Sequence, residues 1–289
     1  MIYQYYPGCS LEGTALEYNL ATRAVMEAAG AQLHEIKDWT CCGASAAEAT
    51  SLLLSLALPA RNLALAEQAD DVRDILVPCS ACYLNLKKVE EKTHSDSGLR
   101  EQLNGLLEQD GLQLAGTSRV RHLLDVMAND IGAEKICSLV KQPLTGLTVA
   151  PYYGCQCLRP YAIFDDPEAP RSMEPLIAAA GATVYDWDMG GRCCGASHMN
   201  THPEVGQALV GAILAAAAGA DAIATVCPMC QMNLEAYQNQ ISRQQGRDLH
   251  LTIVYLPQLI GLAMQLPLPA VGLNLNLAVD GVFRSRQAI

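Results

Sequence analysis

The sequence predicts an α/β protein made of two tandem, pseudo-twofold related halves, each with a parallel sheet, and three observations carry that prediction. Ten of the twelve cysteines form one pattern written twice: a lone cysteine, then Cys-Cys-Gly-Ala-Ser, then Cys-x-x-Cys. The first copy is Cys9, Cys41-Cys42-Gly43-Ala44-Ser45 and Cys79-Ser80-Ala81-Cys82; the second is Cys155, Cys193-Cys194-Gly195-Ala196-Ser197 and Cys227-Pro228-Met229-Cys230. Within each copy, short β-like runs alternate with longer helical ones, the pattern of Rossmann-like βαβ units. Finally, 289 residues with 51% hydrophobic content suffice for two domains of ordinary size. The halves are expected at residues 1–143 and 144–289.

Each half opens on a β-like run that ends at a cysteine, residues 2–6 leading to Gly8-Cys9 and residues 147–153 leading to Gly154-Cys155. A helix is expected over 14–29, closed by Gly30, with a counterpart over 173–180, closed by Gly181. Strands over 32–36 and 183–187 follow, each running to an Asp-Trp pair before the Cys-Cys-Gly. Next come apolar helices over 46–67 and 204–218, then buried strands over 74–77 and 222–226. These strands empty into the Cys-x-x-Cys, with a helix starting inside that motif. Residues 120–127 and 253–266 close the halves. The polar stretch 90–117 is expected to be a surface connection, and the linker between halves to lie near 138–145. Between Cys9 and Cys41 lie 31 residues, against 37 between Cys155 and Cys193; much of the excess sits between Trp187 and Cys193.

In parallel sheets ligands collect beyond the carboxyl ends of the strands, where helix N-termini aim unpaired amides. All three cysteine elements of each half fall at strand-to-helix junctions, so they can converge. Adjacent cysteines on a strand would point to opposite faces, so a shared site needs a turn at Gly43 and Gly195.

The composition excludes several functions. The net charge of −11 is shared by both halves and neither is basic, which argues against nucleic-acid binding. No apolar run is long enough to span a bilayer, and residues 1–6 lack the form of a signal peptide, so the chain is expected to be cytoplasmic. In a reducing compartment, clustered Cys-x-x-Cys pairs point to metal or redox chemistry rather than a disulfide framework.

Five thiols per half exceed the four that a cubane iron-sulfur cluster or a structural zinc would use. Iron-sulfur clusters lead. Two zinc sites would leave Cys9 and Cys155 unused, although zinc in one half stays open, and a bare dithiol relay would leave three thiols per half unexplained.

With these motifs the chain resembles the catalytic B subunit of heterodisulfide reductase and its bacterial sulfur-oxidising relatives, which consist of two CCG domains. The resemblance runs from Tyr6-Pro7-Gly8-Cys9 to beyond the second Cys-x-x-Cys, and the five-cysteine motif is complete in both halves. It implies two noncubane [4Fe-4S] clusters, one on Cys9, Cys41, Cys42, Cys79 and Cys82, the other on Cys155, Cys193, Cys194, Cys227 and Cys230. It further implies an oxidoreductase acting on a disulfide or thiol pair between the clusters, the substrate being a coenzyme heterodisulfide or a lipoyl carrier protein. The implied partners are a ferredoxin-like C-type subunit and a flavin-bearing A-type subunit; no flavin or nucleotide fingerprint occurs here. The alternative is a non-catalytic electron-transfer or assembly subunit of a lactate, glycolate or succinate type oxidoreductase.

Other residues are weaker candidates. His198 and Arg192, beside the second Cys-Cys-Gly, are candidates for touching substrate, as is Arg159; helix-start and salt-link roles compete. His202 suits a helix start, while His34, His94, His122 and His250 are expected to be structural or on the surface. Cys137 and Cys157 are expected to be small buried hydrophobes. Asn85 and Asn233, each three residues past the last cysteine of its half, are placed to hydrogen-bond the cysteine loop, with packing or capping as an equal alternative.

Overall fold

The structure is a computed structural model and describes residues 1–69, 74–281 and 283. In the first half, strands β1 (Ile2–Tyr5), β2 (Gln32–Glu35), β3 (Asp74–Val77) and β4 (Arg119–His122) form one parallel sheet in the order β2-β1-β3-β4. In the second, β5 (Thr148–Tyr152), β6 (Thr183–Val184), β7 (Ala222–Thr225) and β8 (Thr252–Tyr255) repeat it as β6-β5-β7-β8. The expected α/β architecture of two related parallel halves is thus present.

The strand sequences account for their places in the sheets. Ile75, Leu76 and Val77 of β3 and all of β7 and β8 are buried, as strands covered by helices on both faces must be. The edge strand β2, Gln-Leu-His-Glu, is mostly exposed, and its polar residues blunt an open edge. Strand β6 stops after two residues rather than running to Trp187. Beyond it, the Trp187 indole N–H donates to the Pro151 carbonyl at 3.0 Å, so a side chain takes over from the ladder.

The helices follow the expected order with two corrections. Residues 90–117 are not a surface connection: Ser80–Ser95 and Ser97–Leu107 are helices. Leu99, Leu103 and Leu107 recur every four residues, and Leu103 and Leu107 are buried. The Asp96 carboxylate caps the second of these helices by accepting from the Leu99 N–H at 3.0 Å. The expected helix over 46–67 is broken in two, Ala46–Thr50 and Leu52–Ala66, at the extended residue Ser51.

One apolar core runs through both halves. The helix Leu16–Ala28 packs on Leu256–Ala263 across the interface, and Tyr18 stacks on Tyr255 with ring centroids 4.0 Å apart. The Tyr18 hydroxyl donates to the carbonyls of Pro78 (3.1 Å) and Val226 (3.2 Å), the residues that precede the two Cys-x-x-Cys motifs. Packing between the halves therefore fixes the relative position of the two motifs. Among the described residues no helix is long and apolar enough to cross a membrane.

Candidate metal centres

The strand order places the cysteines. In the first half the chain moves from β1 outward to β2 on one side and from β3 outward to β4 on the other, so a crevice opens at the carboxyl ends of β1 and β3. Cys9 follows β1, Cys79 begins the connection after β3, and the Cys41-Cys42 pair comes in from β2. The second half repeats this with Cys155, Cys227 and the Cys193-Cys194 pair. All twelve cysteines are free thiols.

The sulfurs meet in pairs. Cys9 Sγ lies 3.5 Å from Cys41 Sγ, and Cys42 Sγ lies 3.4 Å from Cys82 Sγ. In the second half Cys194 Sγ lies 3.5 Å from Cys230 Sγ, and the Cys155 and Cys193 thiols, like those of Cys227 and Cys230, shift one another's proton affinity. The turn expected after each cysteine pair is present, with φ of 83° at Gly43 and 74° at Gly195. It brings the Gly43 and Gly195 amides to Cys41 Sγ (3.4 Å) and Cys193 Sγ (3.3 Å). A Cβ on Gly8 would stand 2.7 Å from Cys82 Sγ, and one on Gly154 would stand 2.9 Å from Cys230 Sγ. Only glycine lets the chain pass that close to a sulfur.

Two tyrosines that sequence reasoning missed hold these loops. The Tyr6 hydroxyl donates to the Thr40 carbonyl and the Tyr152 hydroxyl to the Arg192 carbonyl, each at 2.7 Å and each just before the cysteine pair. The signal was available: both halves read Tyr-x-Gly-Cys. The Asp-Trp pairs add Trp39, edge-on to Tyr6 at 5.3 Å, and Trp187, 6.2 Å from Tyr152. In the first half buried Asn62 also accepts from the Thr40 N–H (2.8 Å) and donates to the Thr40 carbonyl (2.9 Å). Asn85 and Asn233 do hydrogen-bond the cysteine loops. Asn85 donates to the carbonyls of Cys42 (3.3 Å) and Ala44 (3.0 Å), and Asn233 to that of Cys194 (2.7 Å).

The thiols push one another's proton affinities apart. Neighbouring thiols draw Cys42 down to about 3, through Cys41 and then Cys82, and draw Cys193 down to about 5, through Cys155. Hydrogen bonding with Cys230, supplemented by amides of its own helix start, lowers Cys227 to about 7. Cys41, Cys82, Cys155 and Cys230 move up, because each would place a second charge beside a neighbour. Five thiolates can coexist in such a set only around a cationic group, and soft sulfur donors select iron-sulfur clusters or zinc. Among the described residues no three such side chains converge on the point that one ion would occupy. The paired sulfurs and the glycine-lined crevice fit a larger, many-centred group.

The weaker candidates separate. His198 is exposed on the turn after Gly195 close to Cys193, and the Arg159 charge favours the Cys193 thiolate. Arg192 is exposed beside Cys193 and borders a cavity of about 660 Å³ with Arg171, Glu174, Asp186 and Asp188. Arg159 is engaged structurally: its guanidinium donates to the carbonyls of Pro167 and Gly191 and pairs with Glu168 at 3.1 Å. His202 precedes the helix Pro203–Ala216 without capping it through its side chain. His122 is fully buried, and Cys157 is buried as expected. Cys137 corrects the expectation: it is exposed, because the short helix Gly132–Leu139 buries only Ile136. A cavity of about 40 Å³ is lined by Cys155, Cys193, Cys227, Met229 and Cys230 of the second half together with Ser80 of the first.

Comparison with known proteins agrees with this geometry. A family model described as a cysteine-rich domain, CCG, matches residues 3–87 and 149–235. The 8-methylmenaquinol:fumarate reductase membrane anchor subunit of Wolinella succinogenes is 36% identical, over 95% of this chain and 96% of its own length. The B subunit of the ferredoxin/F(420)H(2)-dependent CoB-CoM heterodisulfide reductase of Methanosarcina acetivorans is 27% identical, over 94% of this chain and 92% of its own. Among solved structures, a hypothetical protein from Helicobacter pylori aligns over 96% of this chain with a TM-score of 0.75 at 15% identity, a likeness of fold. The chain spans 52% of the length of that structure.

Proposed function

Because the chain belongs to the cysteine-rich CCG domain family and carries that domain twice, we propose that it is the catalytic subunit of a heterodisulfide reductase-like complex, with each half holding one noncubane [4Fe-4S] cluster. The observation that carries this reading is the pair of five-cysteine sets, each gathered at the carboxyl edge of its own sheet and both tied to one interface through Tyr18. The residues for the first cluster are Cys9, Cys41, Cys42, Cys79 and Cys82; for the second they are Cys155, Cys193, Cys194, Cys227 and Cys230. When bound, each cluster would supply one electron and an iron position open to a substrate sulfur.

The chain's own residues set the stage for that chemistry. Tyr6 and Tyr152 hold the cysteine loops, the glycine turns bring amides to sulfur, and burial of Cys42, Cys82, Cys194 and Cys230 keeps water from the inner ligands. Cys41 and Cys193 stay exposed, so each set has an open side toward which a disulfide or thiol substrate approaches. His198 and Arg192 flank that side in the second half and suit an anionic substrate arm or a proton transfer. Electrons arrive from ferredoxin-like and flavin-bearing subunits of the same complex, and a lipoyl carrier is among the substrates of suitable chemistry. The division at residues 143 and 144 gives each domain one complete set. The test is reduction of a heterodisulfide or lipoyl disulfide by the anaerobically purified complex with a viologen donor; no turnover with any disulfide or dithiol would contradict the proposal.

A second reading rests on the 36% identical relative, which is named as part of a fumarate reductase. Under it the chain relays electrons within a fumarate-reducing complex and performs no sulfur chemistry. The same assay with fumarate as acceptor separates the two readings.

A further inference from the structure

Ser80 lies between the cysteines of the first Cys-x-x-Cys, yet its side chain faces the second half. It is buried and its hydroxyl donates to the Val226 carbonyl at 3.1 Å, while its dipole favours the thiolate forms of nearby Cys227 and Cys157. It is also the first-half residue in the small cavity lined by Cys155, Cys193, Cys227 and Cys230.

The hydrogen-bond directions around Ser80 can be worked out. The Leu124 N–H donates to His122 Nδ1 at 3.2 Å, so the proton of this neutral, buried ring sits on Nε2. Nε2 lies 3.2 Å from Ser80 Oγ and also bonds the backbone at Pro78 and Val226; where it donates to Ser80, the Ser80 proton is left to be given onward. The Val226 carbonyl, which accepts from the Ser80 hydroxyl at 3.1 Å, also accepts from the Tyr18 hydroxyl at 3.2 Å and so keeps a donor when the Ser80 proton turns away. The Cys157 thiol is neutral and donates to the Tyr153 carbonyl at 3.3 Å. Once Cys227 is a thiolate ligand it is the charged acceptor in reach, and charge-assisted hydrogen bonds are the stronger ones.

We propose that Ser80 is a positioning residue acting across the interface: its hydroxyl donates to the Cys227 thiolate and raises the reduction potential of the cluster held by the second half. The inference rests on the two-cluster reading above. Hydrogen bonds to cluster sulfurs are among the determinants of potential, since they stabilise the more negative, reduced state. The device runs one way. The position matching Ser80 in the second half is Pro228, which has neither hydroxyl nor N–H, and the position matching His122 is Tyr255, which is stacked on Tyr18.

The test is an EPR-monitored redox titration of the cluster-loaded protein, with the two signals assigned through Cys82→Ala and Cys230→Ala. Ser80→Ala lowers the midpoint of the second-half cluster, raising its oxidised-to-reduced ratio at the wild-type midpoint about tenfold, or about 59 mV for one electron. The first-half cluster stays where it was, although Ser80 adjoins its own ligand Cys79. Ser80→Thr, which keeps the hydroxyl, retains the wild-type value. In deuterated buffer an exchangeable proton coupled to the second-half cluster is seen by ENDOR in wild type and is missing in Ser80→Ala. An unmoved second-half midpoint, or a shift confined to the first-half cluster, overturns the inference and leaves the two-cluster reading intact. A wild-type chain whose second half holds no cluster overturns both.

Discussion

In the first half Cys9 and Cys41 are both exposed, whereas in the second Cys155 is half-buried and Cys193 alone is exposed. The chain explains the difference. After Cys9 the helix Leu16–Ala28 begins within two turns, but after Cys155 an irregular segment, residues 156–173, precedes the shorter helix Glu174–Ala179. Within that segment Asp165 gathers the Arg171 and Ser172 amides, and Arg159 ties it to the Gly191 carbonyl beside the second cysteine pair. The frame that holds the cysteine loops is alike in both halves: a tyrosine on the loop carbonyl, a glycine against the last cysteine and an asparagine on the cysteine loop. What controls access differs. The two halves thus provide matched cysteine sets in unlike surroundings.

The largest effect that would break this comparison is loss of a single cluster. Cys41→Ala or Cys193→Ala is expected to remove the cluster of its own half, leave the other visible by EPR, and abolish nearly all disulfide turnover, because groups that act as a unit are non-additive. If either variant kept most of the activity without its cluster, that half would be structural and the functional pairing would be wrong.

The loop tyrosines sharpen the comparison. Tyr152→Phe leaves the Arg192 carbonyl without its hydroxyl donor and should cost about 1–3 kcal/mol in unfolding experiments. Tyr6→Phe should cost less, since Asn62 also donates to the Thr40 carbonyl. Equal losses in denaturant titrations would mean that Asn62 does not share the task.

A pH-dependent difference is expected at Glu235, on the helix that carries Cys230. Burial, helped by the nearby carboxyl of Glu17, raises its carboxyl to about 7, against the amides of Leu277 and Ala278 and a hydrogen bond with Gln231. Because the folded-state value lies above the unfolded one, its stabilising effect is complete below about pH 4.5 and is lost as pH rises toward 7. Glu235→Gln imitates the protonated form. It should match wild type at pH 4 and exceed it by roughly 2–3 kcal/mol at pH 8, as thermal melts at the two values would show. A variant less stable than wild type at pH 8 would mean that the ionised carboxylate is the native form.

Much of this was legible in the sequence because the information is local. The doubled motif marks the strand ends, and the strand-helix alternation marks the parallel sheets, so the convergence of the sulfurs follows from topology. The helices within 90–117 were missed because their polar composition hid the four-residue recurrence of Leu99, Leu103 and Leu107. The count of 37 against 31 residues also concealed a rearrangement, since a longer segment after Cys155 is offset by a shorter helix. Ser80, His122 and Tyr18 were out of reach for a different reason. Their roles depend on how one half docks on the other, and no periodicity within either half encodes that.

The central claim, that both halves hold an iron-sulfur cluster, is tested most directly by assaying iron, acid-labile sulfide and zinc on anaerobically purified protein. Two complete five-cysteine sets predict about eight iron atoms per chain with matching sulfide and little zinc. About four iron atoms with one zinc would contradict the claim and make one half a structural zinc domain.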